Sequence, residues 1–269
     1  MLKKHSSLFN KEPRIASIEE HSINLTDNDP IVTKPYPIPF KQRERLREEM
    51  KKMEEQGIIR KSNSPYASPV VIVQKKDSEL RICPDYRKIN KVTVHDPEPM
   101  VAAEDLLTKI KGSKIFSKLD LCKGYWQVPM REKDISKTGF VTQDGHYEFL
   151  RMPFGLCNSG ATLVRSLRKI LSGVPNVAVY MDDILIFSEE WSDHLETIDE
   201  VFRRLDNANV TLKPSKCYFG NSSVEFIGYV IKDGRITTSD ENTKKIADAQ
   251  PWRNNNRGDE VTSFYSHFK

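Results

Sequence analysis

The stretch Val177-Ala178-Val179-Tyr180-Met181-Asp182-Asp183-Ile184-Leu185-Ile186-Phe187 decides how the rest of the chain is read. It is apolar on both sides of two adjacent carboxylates, a pattern that predicts two strands around a tight acidic turn. Neighbouring like charges in partly dry surroundings repel, and each also loses hydration. A divalent cation offsets both costs, and at a hairpin tip the pair is within reach of cations and substrate. The pair alone leaves a second reading open, because Asp is common in turns, where its carboxylate accepts bonds from nearby backbone N–H groups.

A distant second acid changes the balance. In FSKLDLCKGYWQV (116–128), Asp120 stands between Leu119 and Leu121 in another strand-like run. A carboxylate there is costly unless it sits at a strand end or beside a cation. Two apolar strands that each deliver acid predict convergence on one centre. Two metal ions about 3.5–4 Å apart, bridged by carboxylates, can activate a hydroxyl and stabilise a leaving phosphate oxygen. Oxygen ligands favour Mg2+, with Mn2+ as a substitute.

Working outward, residues 1–34 are polar and mixed in sign, and read as a linker or extended arm held only where it meets the domain. Pro35, Pro37 and Pro39 enforce an extended approach. KQRERLREEMKKMEEQG (41–57) predicts a helix with Leu46, Met50 and Met53 on one face and Gly57 as its stop. SPVVIVQKKD (68–77) and RICPDYR (81–87) predict a basic hairpin, and AEDLLTKIKG (103–112) a short helix with Leu106, Leu107 and Ile110 on one side. KIFSKLDL (114–121) reads as a strand, with one of Tyr125 and Trp126 buried if the strand continues that far. Ser159 to Leu171 reads as a helix carrying Arg165, Arg168 and Lys169. A long helix from Trp191 to Asn209 has Leu195, Ile198, Val201, Phe202 and Leu205 as its stripe. VEFIGYVI (224–231) reads as one further strand, with a turn signal after it at Asp233-Gly234. Without regular β-α alternation, the fold class expected is α+β.

Composition narrows the function less. The chain has 269 residues, enough for a buried core, and its 38% apolar and 30% charged content is that of a globular protein. A net charge of +4, from 42 basic and 38 acidic residues, leans only weakly towards polyanions. No run of eighteen apolar residues and no secretory pattern is present, so neither membrane nor export is expected. Cys83, Cys122, Cys157 and Cys217 lie far apart with no ligand spacing, and read as free thiols of a reducing, intracellular compartment.

Six ordered blocks then carry a resemblance: GIIRKSNSPYASPVVIVQKKD, LRICPDYRKINKVT, FSKLDLCKGYWQV, KTGFVTQDGHYEFLRMPFGLCN, YMDDILIF and KCYFGNSSVEFIGYVI. The chain resembles the reverse transcriptases of gypsy-class long-terminal-repeat retrotransposons and, more distantly, of retroviruses. The resemblance runs from about residue 35 to residue 231, some three quarters of the chain. It implies a right-hand polymerase fold with fingers and palm, an antiparallel palm sheet on helices, and a reduced or partial thumb. The division implied is an arm over 1–34, the reverse transcriptase domain over 35–234, and a partial thumb or connection over 235–269. The activity implied is RNA- and DNA-directed DNA synthesis within a Pol polyprotein. Its substrates would be a primed RNA or DNA template and deoxynucleoside triphosphates.

The resemblance also assigns roles. Asp120, Asp182 and Asp183 match the palm carboxylates, with Asp120 and Asp182 binding the metals, Asp183 shaping the site, and the Leu121 carbonyl as an added ligand. Tyr125 matches an aromatic gate that excludes a ribose 2′-hydroxyl. Lys75, Lys76 and Arg81 match basic residues of the finger hairpin that close on the triphosphate, and Phe154 in PFGL a residue packing on the incoming nucleotide. Phe226, Ile227, Gly228 and Tyr229 resemble the hairpin that holds the primer, and Lys216 a lysine near the pyrophosphate exit. The chain departs from the family pattern after PFGL, where Gly160 stands in place of a proline, and in a finger hairpin one residue shorter than usual. The leucine-glycine stretch that normally follows EV-x-S-F is also missing near residue 263. The alternative reading is a relic or co-opted copy that binds nucleic acid or a partner without turnover.

Overall fold

Alternating and continuous apolar runs divide the chain among three sheets, whose order in space differs from their order in sequence. The computed structural model describes residues 3–74, 80–99, 102–232 and 234–238. Helix α1 (Phe40–Glu55) buries Leu46, Met50 and Met53, the face expected from their spacing. It ends at Gly57, whose φ of +60° suits the residue without a Cβ. Strands β1 (Ile59–Lys61), β2 (Ser68–Gln74) and β3 (Leu80–Pro84) follow, then a short helix α2 (Arg87–Lys91) and helix α3 (Ala103–Ile110). Strand β4 (Ile115–Asp120) precedes β5 (Phe140–Val141), β6 (His146–Phe149) and helix α4 (Ser159–Ile170). Strands β7 (Val177–Tyr180) and β8 (Asp183–Ser188) lead into helix α5 (Trp191–Asn207). Four short strands close the described chain: β9 (Tyr218–Asn221), β10 (Ser223–Phe226), β11 (Tyr229–Lys232) and β12 (Arg235–Thr238).

The first sheet has the order β1-β6-β5-β2-β3 and is antiparallel except where β2 meets β5. Its core joins Met50, Met53, Ile59, Val70, Ile82, Phe140 and Phe149. The second sheet, β7-β8-β4-β9, is antiparallel throughout. On one face Leu119, Ile184 and Ile186 meet Leu163 and Leu167 of α4 and Ile198, Val201, Phe202 and Leu205 of α5. On the other face Phe116, Ala178, Leu185 and Phe187 meet α3 and the third sheet, β10-β11-β12. Strand β8 is therefore covered on both faces. That is why Ile184 to Phe187 reads as an unbroken apolar run rather than an alternation.

A polar tie locks α5 to this sheet. The buried His194 ring contacts Ser117 Oγ at 2.7 Å and Ser188 Oγ at 2.8 Å, from β4 and β8 respectively. Trp191 stacks on His194, and Gly220 of β9 lies beneath the indole while its N–H donates to Ser117 Oγ.

Four expectations need correction. The N-terminal arm is extended, but it is far more than locally held: Leu8, Ala16 and Ile23 are part of the main core. His21 is buried there with Nδ1 2.8 Å from Thr162 Oγ1 of α4. VEFIGYVI is a hairpin and not one strand, because Ile227 and Gly228 both take positive φ and turn the chain between the paired Phe226 and Tyr229. Tyr125 and Trp126 lie in a 3-10 turn, Gly124–Gln127, entered through Lys123 at φ 50°, instead of in a strand. Leu195 is 37% exposed, and the buried stripe of α5 runs instead through His194, Thr197, Ile198, Val201, Phe202 and Leu205. The tail 239–269, expected as a partial thumb, lies outside the described residues.

Two predictions follow from the packing. Burial lowers the pKa of His21 from its ordinary 6.5 to about 4, with Asp134 opposing the shift. Above pH 6.5 the imidazole is neutral in folded and unfolded chains alike; below it the unfolded chain binds the proton first, and stability falls until the folded chain also protonates near pH 4. Urea denaturation across this window should show His21→Gln losing less stability than wild type, the gap closing by about 3 kcal/mol. A gap independent of pH would contradict this. Second, a Cβ at Gly220 would lie 2.6 Å and 2.8 Å from Trp191 ring carbons, on a backbone already at φ +63°. Gly220→Ala should cost about 1–3 kcal/mol in the same assay, and an unchanged midpoint would show that the Trp191–His194 tie is slack.

Candidate active site

The antiparallel register of β4 and β8 brings the distant acids together. Asp120 and Asp183 are the last paired residues of that ladder, and Asp183 also pairs with Tyr180 of β7. Met181 and Asp182 form the two-residue turn between β7 and β8, with Met181 at φ 56°. A β-branched residue would resist that backbone, and the unbranched Met tolerates it better. All three acids therefore lie at one end of the second sheet, with Asp120 and Asp183 partly buried and Asp182 exposed.

Their electrostatics follow from this placement. Burial raises the pKa of Asp120, and the charges of Asp182 and Asp183 push the same way, while Lys216 opposes them. Burial also raises Asp183, with Lys118 opposing and Asp182 adding repulsion. Two lysines answer the charge directly: Lys118 Nζ is 2.8 Å from Asp183 Oδ2, and Lys216 Nζ is 3.3 Å from Asp120 Oδ2. Among the described residues no three His, Cys, Asp or Glu side chains converge as a ready ligand set. The acids are near enough to repel, yet two of them are turned to lysines. The donor chemistry fits hard divalent cations, since partly buried carboxylate oxygens with a surplus of negative charge are what Mg2+ or Mn2+ prefers.

A second wall of the site comes from the first sheet and the loop before α4. Tyr125 lies with its ring 4.9 Å from that of Phe154, and the Arg81 guanidinium sits 4.9 Å over the other ring. The Tyr125 phenol is raised by burial and then by the charge of Asp182, with Arg81 opposing, which places all three groups in one electrostatic neighbourhood. Phe154 is held by the turn around Gly155, whose φ is +95° and where a Cβ would stand 3.2 Å from the Pro84 carbonyl. Asn90 clips this turn, donating to the Gly155 carbonyl at 2.8 Å and accepting from the Cys157 N–H at 3.0 Å. A Cβ on Gly160 would lie 3.8 Å from the Tyr125 hydroxyl, an ordinary contact.

The remaining residues singled out in the sequence divide. Lys75 and Lys76 lie outside the described residues. Leu121 is buried and bridges Leu212. Phe226 is 1% exposed, and its ring packs 6.3 Å from that of Tyr180. Of the four hairpin residues, Ile227, Gly228 and Tyr229 alone present surface, because β10 turns its last side chain into the core. Arg165 and Arg168 of α4 are engaged by Glu19, Asp96 and Glu98, and so face acids of the same chain. The sequence reading passed over Lys118. Its signal was the strand period of two, which puts a lysine on the same side of β4 as Asp120.

Comparison with known proteins identifies the family and the fold. The family model for reverse transcriptase (RNA-dependent DNA polymerase) matches residues 73–231, more than half of the chain. The chain is 39% identical over 234 residues to the retrovirus-related Pol polyprotein from transposon 297 of Drosophila melanogaster, covering 84% of this chain and 22% of that protein. It is 37% identical to the corresponding polyprotein from transposon gypsy of the same organism, over 86% of this chain and 23% of that one. It is 36% identical to the transposon Tf2-3 polyprotein of Schizosaccharomyces pombe, over 84% and 17%. The chain thus spans about a fifth of the length of these relatives. Among solved structures, the foamy viral protease-reverse transcriptase in complex with double-stranded DNA superposes with a TM-score of 0.86 at 25% identity, over 94% of this chain and 45% of that one. The same viral protein with an RNA/DNA hybrid gives 0.84 at 26%, over 94% and 34%. By these matches the chain belongs to the reverse transcriptase (RNA-dependent DNA polymerase) family, as the reverse transcriptase domain of a gypsy-class retrotransposon Pol polyprotein.

Proposed function

We propose that this domain extends a DNA primer with deoxynucleotides on an RNA or DNA template, using Asp120, Asp182 and Asp183 as its catalytic acids. The observation that carries the reading is the terminal pairing of Asp120 with Asp183, with Asp182 in the adjoining turn. In this reaction the primer 3′-oxygen forms a bond to the α-phosphorus, the bond to the bridging oxygen breaks, and pyrophosphate leaves. Asp120 and Asp182 would hold two Mg2+ ions, which supply charge that favours the ionised hydroxyl and offsets the charge on the leaving group. Asp183 shapes the site from the end of β8. Lys216, paired with Asp120, would supply a positive charge that favours the leaving anion.

The aromatic wall supports the choice of substrate. Phe154, backed by Arg81, offers a flat face for the incoming nucleotide, and Arg81 with Lys75 and Lys76 supplies charge for its triphosphate. Tyr125 stands beside Phe154 and near Asp182, where its ring would collide with a ribose 2′-hydroxyl and leave a deoxyribose free. Ile227, Gly228 and Tyr229 would meet the primer strand, with Phe226 fixing their hairpin from below. The foamy viral relatives, solved with double-stranded DNA and with an RNA/DNA hybrid, support a primed template as the partner. No helix among the described residues is long and apolar enough to cross a membrane.

Two measurements test this. Primer extension on an RNA template with Mg2+ and deoxynucleotides should proceed with wild type and fall by about a thousandfold or more in Asp182→Asn; extension that survives the substitution sinks the proposal. Tyr125→Val should raise ribonucleotide incorporation relative to deoxynucleotide by about a hundredfold. Unchanged sugar discrimination would remove Tyr125 from the gate and leave it as a packing residue.

A further inference from the structure

The two lysines at the acidic centre are not equivalent. Lys118 stands on β4, two residues before Asp120 on the same side of the strand, with its side chain 24% exposed and Nζ 2.8 Å from Asp183 Oδ2. Lys216 reaches Asp120 from the short turn Pro214–Lys216, is 57% exposed, and sits at the longer 3.3 Å. Backbone pairing on both sides of β4 fixes the base of Lys118, since Lys118 pairs with Leu185 of β8 and Tyr218 of β9. A lysine so placed loses little further freedom on pairing. Lys216, on an exposed turn, can swing away at small cost. Asp182 has no lysine ion pair among the described residues.

We propose that Lys118 is a built-in counter-ion that takes Asp183 out of the direct metal-ligand set and leaves Asp120 and Asp182 to hold the cations. Lys118 is thus a positioning residue: it neutralises the third acid from within the sheet. The three carboxylates can then approach one another at the hairpin end before any metal arrives. Lys216 is the displaceable partner, leaving Asp120 when a cation binds. This division accounts for two otherwise unrelated features, a lysine in the middle of a covered strand and an Asp-Asp pair of which only one member is exposed. The inference rests on the polymerase-site reading above.

Binding of Mn2+ to the full chain without nucleic acid, followed by the electron paramagnetic resonance signal of the free ion, tests it independently of turnover. Lys118→Met exposes the charge of Asp183 and should tighten Mn2+ binding about tenfold or more, whereas Lys118→Arg should keep the wild-type value. The decisive variant is Lys118→Met with Asp183→Asn, which removes a neutral pair and leaves no unpaired charge to impair folding. Its Mn2+ affinity should stay within about threefold of wild type. A loss of about tenfold or more in this double variant would show Asp183 to be a direct ligand and overturn the proposal. Unchanged binding in a folded Lys118→Met protein would overturn it as well. Asp120→Asn serves as the separate control: if it leaves Mn2+ affinity intact, the polymerase-site reading itself fails, and this inference with it.

Discussion

The pairing of β4 with β8 is the constraint on which the molecule turns. Six residue pairs, from Ile115↔Ser188 to Asp120↔Asp183, set one register, and a slip of β8 by a single residue would exchange its two faces. Each face is committed. One meets α4 and α5, the other α3 and the third sheet, so a slip would drive Ile184 and Ile186 out of one core and Leu185 and Phe187 out of another. Apolar burial of that size is worth several kcal/mol, since each large aliphatic side chain contributes about 1.5–3 kcal/mol. The register is therefore held by the hydrophobic interior, and the acids at its open end are carried into place by packing they take no part in.

That arrangement also explains how a repulsive cluster is tolerated. Asp120 and Asp183 are each made harder to ionise by burial and by the charge of Asp182, an unfavourable state that the sheet enforces and that two lysines relieve. Strain of this kind is useful where charge must be bound later, because a site already assembled need not reorganise when its ligand arrives. The cost is borne by the rest of the fold, which is extensive: the His194 tie between α5, β4 and β8, and an N-terminal arm sewn into the core through Leu8, Ala16, Ile23 and His21.

The neighbouring wall has a different origin. Arg81 belongs to the first sheet, Phe154 to the loop before α4, and Tyr125 to the 3-10 turn after β4. Their contact is what joins the first sheet to the acidic centre, and the Asn90 clip on the Gly155 turn fixes the angle. On the proposed reading, substrate choice at this surface would be a matter of shape, whereas charge would be handled a few residues away on the second sheet. Gly160 borders this wall at the Tyr125 hydroxyl, where a Cβ would make an ordinary contact.

Much of this was legible in the residues. The helical face of α1, the acidic hairpin, the strand bearing Asp120 and the α4 and α5 helices all follow from local period and composition, because burial imposes a period of 3.6 or 2 on any segment that packs along one side; the six blocks were legible only through their resemblance to a known family. The turns at Met181-Asp182 and Ile227-Gly228 differ in legibility for a plain reason: an Asp-Asp pair advertises a turn, while Ile at positive φ does not, and its cost is met by the packing of Phe226 below. The burial of the arm was hidden for the same kind of reason, since Leu8, Ala16 and Ile23 recur at no fixed spacing and only a partner surface makes them a stripe. The sequence by itself determined the family, the three acids and the elements that bear them. Tertiary structure alone decided that Lys118 meets Asp183, that Phe226 faces inward, and that Arg81, Phe154 and Tyr125 share a wall, because contacts between segments far apart in the chain depend on register and packing, which no local pattern encodes.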